Sequence, residues 1–376
     1  MGFVTFGITA LGIMASEVLD DLDITREQLG YVVTAHVVLG ALLSPRAGHV
    51  VDRVGGRNAV IGLFAFSGLA LAMLGAAVAY WVLIAAAMVS AVAMSAGNPS
   101  TNKLITAHVP RGRRGTVTGI KQSGVQASAL AGGLLLPIGA DAIGWRGTLL
   151  VAATGALVGF ALVLKYVPRD PPAKNVTAGG PAAVSTSTWW LAGYGALLGF
   201  GGTTIFFLPL FSEEAVGYGP RAAGLAAALV GLVSLFGRIL WAQFAEERER
   251  FVRALGYMAV LSVVAGLLLL EAPGRPWLLW VGVVFMGVSA SSWNAVAMLA
   301  VMNDSGPATA GRASGVVMFG FLLGSGISSP IYGRIVDVSG SYRAMWWVAI
   351  SAFAAATVLV LVWSRLLTLA LRRQPR

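Results

Sequence analysis

Long apolar runs dominate the chain, and polar residues fall between them rather than in alternation with them. Twelve runs can be drawn, near residues 1–19, 28–50, 58–79, 82–107, 114–138, 147–167, 187–212, 220–244, 254–271, 276–301, 310–334 and 343–364. Roughly 18 or more apolar residues in a row have the length of a membrane-spanning helix. The alternating segments of about ten residues that mark a transmembrane β-barrel are not found. Most connections are short. One is long and polar, "RDPPAKNVTAGGPAAVSTST" from residue 169, and its Pro, Gly, Ser and Thr mark a flexible linker. It follows the sixth run. The pattern predicts an all-α integral membrane protein of 12 transmembrane helices in two pseudo-symmetric six-helix halves. The N-terminal bundle covers 1–168, a cytoplasmic linker 169–186, and the C-terminal bundle with a short cytoplasmic tail 187–376.

Composition agrees. Charged residues make up 11% of the chain, against about a quarter in a soluble protein. The 48 glycines suit close helix packing in lipid. Cysteine is absent, which removes disulfides and thiolate metal sites. The net charge of +10 does not point to nucleic acid, because the basic residues lie between spans rather than on a soluble domain. They carry orientation instead. With the N-terminus inside, inner loops, linker, tail and adjacent helix ends hold 18 Lys and Arg, and outer loops hold six. Both termini are therefore expected on the cytoplasmic side of the inner membrane. The chain starts apolar with no basic leader, so a cleaved signal peptide is not expected.

The two halves share punctuation. "GRRGTVTG" opens span five and "GRASGVVMFG" opens span eleven. Arg113 precedes Arg146 of "GWR" by 33 residues, and Arg312 precedes Arg343 of "SYR" by 31. "GHVVDRVGGR" after span two has a weaker counterpart in "AQFAEERER" after span eight, with Asp52 against Glu246. Parallel repeats of six helices, with a solute site near the midplane between them, are a known transporter architecture.

These motifs resemble the major facilitator superfamily over nearly the whole chain. The family loop between spans two and three reads G-x-x-x-D-R-x-G-R-[KR]. Gly48, Asp52, Arg53, Gly55 and Arg57 match it, while Gly56 stands where a basic residue is usual. A second-half pattern, G-R-x-x-W-G-x-x-x-D, is matched by Gly237, Arg238 and Trp241, with Ala242 for Gly and Glu246 for Asp. The resemblance implies that Asp52 faces the N-terminus of span eleven and holds the inner side shut. Gly48 would permit close helix approach there. Arg53 and Arg57 would bind carboxylates or anionic lipid heads, or serve only as positive-inside anchors. Arg238, near the inner end of span eight, is read as a gate or headgroup contact.

Polar residues inside spans mark helix contacts or a cavity. Span five carries Lys121, Gln122 and Gln126 in "TGIKQSGVQ". Lys121 lies about seven residues, roughly 10 Å, from the inner end. It is either a ligand for an anion or a lysine snorkelling to the inner surface. Its repeat counterpart falls near Met318 to Gly320, where there is no charge. Span four places Asn98 and Asn102 on one face, with Pro99 expected to kink the helix. The arginine that the family often carries in span four is missing, and its role is assigned to Lys121. Thr203 and Thr204 of span seven, and Trp293 and Asn294 of span ten, complete the substrate candidates. His36 and Glu17 are the candidates for a coupling proton.

One buried cation, no mid-span acid, and several amides suit a small organic or inorganic anion moved by alternating access. "GIKQSGV" is similar to segments of superfamily members of the cyanate, nitrate and organic-anion type. A proton-coupled exporter is the alternative, but the family's exporter pattern G-x-x-x-G-P-x-x-G-G is not matched by Gly132, Gly133 and Pro137. An enzyme would need a convergent nucleophile, base or metal set. None is seen, no nucleotide loop G-x-x-x-x-G-K-[ST] exists, and no cofactor is expected. Partners are a small solute, protons as the possible coupling ion, and membrane lipids; the functional unit is expected to be a monomer.

Overall fold

The computed structural model describes residues 1–110, 114–168, 185–246, 251–304 and 310–373. Among them are helices, two short 3-10 turns and no strand. In chain order the helices are α1 Gly2–Ile13, α2 Ala15–Leu22, α3 Arg26–Val54, α4 Gly56–Gly75, α5 Tyr80–His108, α6 Arg114–Tyr166 and α7 Thr186–Gly202. They continue with α8 Leu208–Glu214, α9 Pro220–Glu246, α10 Phe251–Glu271, α11 Trp277–Val288, α12 Trp293–Asp304, α13 Ala310–Ser339 and α14 Tyr342–Arg373.

Nine stretches of the described residues are long and apolar enough to cross a membrane. One of them, Ser123–Tyr166, is 44 residues long and holds two spans. Gly144 joins them with φ 74 and ψ 163, a left-handed backbone that suits glycine. Two bent pairs complete the set: α1 with α2, bent by 69°, and Thr186–Ile205 with α8. Twelve spans follow, as the apolar pattern predicts.

The runs do not foretell where the spans break. Span one turns at Met14. Span ten stops at Val288 and resumes at Trp293, across "SASS". Span four, by contrast, runs through Pro99 as one helix. Local chemistry explains some of the ends. Thr25 and Gln28 form a reciprocal capping box at the start of α3, with bonds of 3.1 and 2.8 Å.

The described residues form two compact units. The first holds the chain up to 168 together with Phe206–Glu213 and Tyr218–Ala228. Its core joins Leu11, Met14, Val18, Leu71, Leu74, Leu83 and Leu149 of α1 to α6. The segment Tyr218–Ala228 belongs here because Gly224 packs backbone to backbone on Gly133, and Arg221 pairs with Asp141 at 2.9 Å. The second unit holds 185–205, Glu214–Gly217 and Leu229 onward. Its α7 and α13 pack closely, with Tyr332 Oη donating to the carbonyl of Phe200 and Ser325 Oγ to that of Gly199.

The repeat visible in the sequence is a repeat of contacts, each inside its own unit. Arg146 opens span six. It pairs with Asp21 of α2 at 2.5 Å, donates to the carbonyl of Ala77 after α4, and lies over the Trp145 ring. Arg343 opens span twelve and faces Glu271 at the end of α10, while its neighbour Tyr342 donates to Glu214 at 2.7 Å. In both units an aromatic–arginine pair ties the start of one span to the acidic end of another.

Candidate functional site

The strongest polar constellation lies between α5 and α6. Asn98 and Asn102 sit four residues apart on α5, one helical turn, so both amides present on one side. Lys121 of α6 reaches across to them. Its Nζ donates to Asn102 Oδ1 at 2.7 Å and to Asn98 Oδ1 at 3.1 Å. The sequence names all three residues but not their union.

The chemistry of that union is directional. Lysine ammonium has three donors and no acceptor. Two are engaged by amide oxygens, which turns the Nδ2 groups of both asparagines away from the cation. The cluster joins a positive charge to two amide side chains, each oriented with its oxygen toward the lysine. Among the described residues no carboxylate pairs with Lys121. Lys121 Nζ is thus bonded to α5 at two positions one turn apart.

The second unit repeats the pairing without the charge. Asn294 of α12 donates through Nδ2 to Met318 Sδ of α13 at 3.1 Å. Met318 lies in the stretch, Met318 to Gly320, that the repeat aligns with Lys121. The polar contact between spans four and five is thus kept between spans ten and eleven, and the cation is found in the first alone.

The remaining candidates fall into distinct settings. Gln126 is half-buried on α6 and has a partner of its own. The side chains of Gln122, Asp52 and Glu246 lie outside the described residues. Trp293 is 2% exposed, packed against the rings of Tyr194 and Phe321 at 5.9 and 5.4 Å. Thr203 and Thr204 are buried, and their hydroxyls donate to the carbonyls of Gly199 and Gly201. These three residues build the second unit's core. His36 is buried against α5, and its Nδ1 has no partner among the described residues. Glu17 accepts from Ser16 Oγ at 3.1 Å in the half-buried start of α2.

The motif loop has a bracing function that its sequence does not reveal. Arg57 Nε and Nη2 donate to the carbonyls of Val167 and Leu164, both at 2.8 Å, at the end of span six. Lys103 Nζ donates to Val51 O at 3.1 Å in the last turn of α3. Gly55 takes φ 87 at the turn between α3 and α4, and Arg53 is exposed. Among the described residues, a Cβ at Gly48 would meet nothing within 4 Å.

The second-half motif braces the break in span ten. Arg238 donates to the carbonyl of Ser291 from Nη2 at 3.2 Å and Nε at 3.4 Å, and Trp241 Nε1 donates to Val288 O at 2.8 Å. Ser292 Oγ bonds Gly287 O and Ser234 O. A broken helix in lipid leaves carbonyls that must find donors, and α9 supplies them. Gly237 allows the contact, since a Cβ there would stand 2.7 Å from Ser292 Oγ and 3.1 Å from Val288 Cα.

Twelve spans in repeated sixes, with polar groups joining helices at membrane depth, define a multi-pass membrane transporter. The family model of the Major Facilitator Superfamily matches residues 1–328, and the chain belongs to that superfamily. It is similar to the probable sulfoacetate transporter SauU of Cupriavidus necator, with 24% identity over 88% of this chain and 84% of that protein. It is also similar to the methylenomycin A resistance protein of Streptomyces coelicolor, 27% identical over 44% of this chain and 36% of that one. Among solved structures it shares its fold with the nucleoside transporter NupG (TM-score 0.78, 12% identity, 96% and 97% of the two chains). The fold is shared too with a bacterial homologue of the human lysosomal transporter Spinster in an inward-facing, unoccupied conformation (TM-score 0.77, 14% identity, 96% and 92%). The protein is a secondary transporter of this superfamily.

Proposed function

We propose that this transporter carries a small organic or inorganic anion, with Lys121 as its cationic anchor and Asn98 and Asn102 as the amides that hold and flank it. The observation that carries the proposal is the bond pair from Lys121 Nζ to the two asparagines at 2.7 and 3.1 Å. An anion entering there meets a charge already oriented by its two amide acceptors, so binding requires little reorganisation. Gln122 and Gln126, further along the same helix, are proposed as additional substrate contacts. The similarity to a protein named as a probable sulfoacetate transporter supports an anionic substrate.

The cycle is proposed as alternating access between halves 1–168 and 187–376, joined by the 169–186 linker, in a monomer. Both termini are proposed to lie on the cytoplasmic side of the inner membrane, a reading that the Lys and Arg bias supports. Asp52, Arg53 and Glu246 are proposed as gate residues, with Gly48, Gly55, Arg57 and Arg238 shaping the helix ends and breaks around them. His36 and Glu17 are the proposed titratable groups for a coupling proton.

A second reading, export of a drug or metabolite, is favoured by the partial similarity to the methylenomycin A resistance protein. A thermal-unfolding screen of purified protein separates the two. Carboxylates and sulfonates should stabilise the wild type and fail to stabilise Lys121→Gln. Stabilisation by lipophilic cations, or an unchanged anion response in Lys121→Gln, overturns the anion reading.

A further inference from the structure

Helices α3 and α4 each pack closely on α5 but touch one another little. The wedge between them is a groove of about 290 Å³. Its walls are Leu43, Val50 and Val54 of α3 and Gly62 and Phe66 of α4; its floor is the small residues Ala93, Ser95 and Ala96 of α5. The groove stays open because Gly62 projects nothing into it: a Cβ there would find no atom within 4 Å. It opens outward, since Val50, Val54 and Phe66 of its lining are exposed.

Arg46 lines this apolar groove and is exposed. It lies eight residues before the end of α3, roughly 12 Å along the helix. That depth is within snorkelling reach of the membrane surface but short of it. Asn58 lines the mouth from the start of α4, with Nδ2 donating to Val54 O at 3.0 Å. Exposed Arg53 follows one turn beyond Val50. An arginine on the lining of a groove otherwise walled by valines and a phenylalanine favours an anion that brings its own apolar body.

We propose that this groove is a binding site for an anionic phospholipid, with an acyl chain laid between α3 and α4 and the phosphate held by Arg46. A zwitterionic lipid fits the apolar slot equally but brings a compensating cation to the guanidinium. Free phosphate satisfies the guanidinium but leaves the slot empty. The site is separate from Lys121 and does not depend on what is transported.

Native mass spectrometry of the purified full chain tests this, with phosphatidylglycerol and phosphatidylcholine of matched chains and with inorganic phosphate. The wild type should retain phosphatidylglycerol at least roughly tenfold more tightly than phosphatidylcholine, the scale of one charge-assisted contact. Arg46→Gln should remove that preference while leaving apolar retention. Gly62→Leu should fill the slot and weaken both lipids. Lys121→Gln should leave lipid selectivity unchanged. Equal retention of the two lipids, an unaltered preference in Arg46→Gln, or phosphate competing as well as lipid overturns the proposal.

Discussion

Arg57 holds the carbonyl of Val167, 110 residues away in sequence, through an Nε bond of 2.8 Å. Its Nη2 takes the carbonyl of Leu164 at the same distance. The last carbonyls of any helix lack intrahelical donors, and here a guanidinium from the motif loop supplies two. The arginine therefore fixes the end of span six against the start of span three.

From this follows the first expected outcome. Arg57→Ala should destabilise the detergent-solubilised protein by about 1.5–3 kcal/mol, the range for bonds involving a charged group. Arg57→Lys should recover little, because a single ammonium lacks the fork that reaches both carbonyls. Thermal unfolding of the three proteins decides it. Equal stability of wild type and Arg57→Ala would mean that α6 ends without help from this loop.

The two repeat arginines should differ in weight. Arg146 has a close carboxylate in Asp21, a backbone acceptor in Ala77 and an aromatic face in Trp145. Arg343 has a carboxylate at 3.7 Å, with both partners more than half exposed. Exposed ion pairs contribute about 0–1 kcal/mol. Arg343→Ala should therefore leave the unfolding midpoint nearly unchanged, and Arg146→Ala should lower it clearly. Similar midpoints for the two variants would show that the repeat is one of sequence rather than of load.

Much of this architecture was legible in the sequence. Apolar runs of membrane length and one polar linker were enough for twelve spans in two sixes, because lipid leaves the backbone few alternatives to helix. The breaks were harder to read. Met14 and "SASS" interrupt apolar runs with residues that are themselves compatible with helix, and the donors that stabilise the span-ten break come from α9. Side-chain roles divided in the same way. Lys121 stood out because a cation in an apolar run demands a reason, and Asn98 and Asn102 because their spacing shares a face. That Trp293, Thr203 and Thr204 are core residues follows from three-dimensional packing, which no spacing rule contains.

The span-ten brace offers a sharper test. Gly237→Ala places a Cβ 2.7 Å from Ser292 Oγ, and overpacking of this kind costs about 1–3 kcal/mol. Trp241→Phe keeps most of the ring but loses the 2.8 Å bond to Val288 O, at a cost of about 1 kcal/mol or more if that carbonyl finds no other donor. Both variants should unfold at lower temperature. Transport assays in vesicles should fall further for Gly237→Ala than its stability loss alone explains, since the substitution pushes on the break itself. Full activity in Gly237→Ala would show that the break has no part in the cycle.

The most discriminating substitution at the proposed anion site is Asn102→Asp. Asn102 Oδ1 accepts from Lys121 Nζ at 2.7 Å, so an aspartate with the same shape places a carboxylate at ion-pair distance. The fold should tolerate this, since the new charge meets an opposite one already oriented toward it. Anion binding should not. The local charge drops by one unit, and one amide donor group is lost with it. A loss of at least roughly tenfold in anion affinity is expected, the scale of one charge-assisted contact, with unfolding temperature in the absence of anion held or raised. Asn98→Ala removes one support, at 3.1 Å, and leaves the charge, so it should weaken binding by less. If Asn102→Asp binds anions as the wild type does while Asn98→Ala abolishes binding, the positive charge of Lys121 is not what selects the substrate.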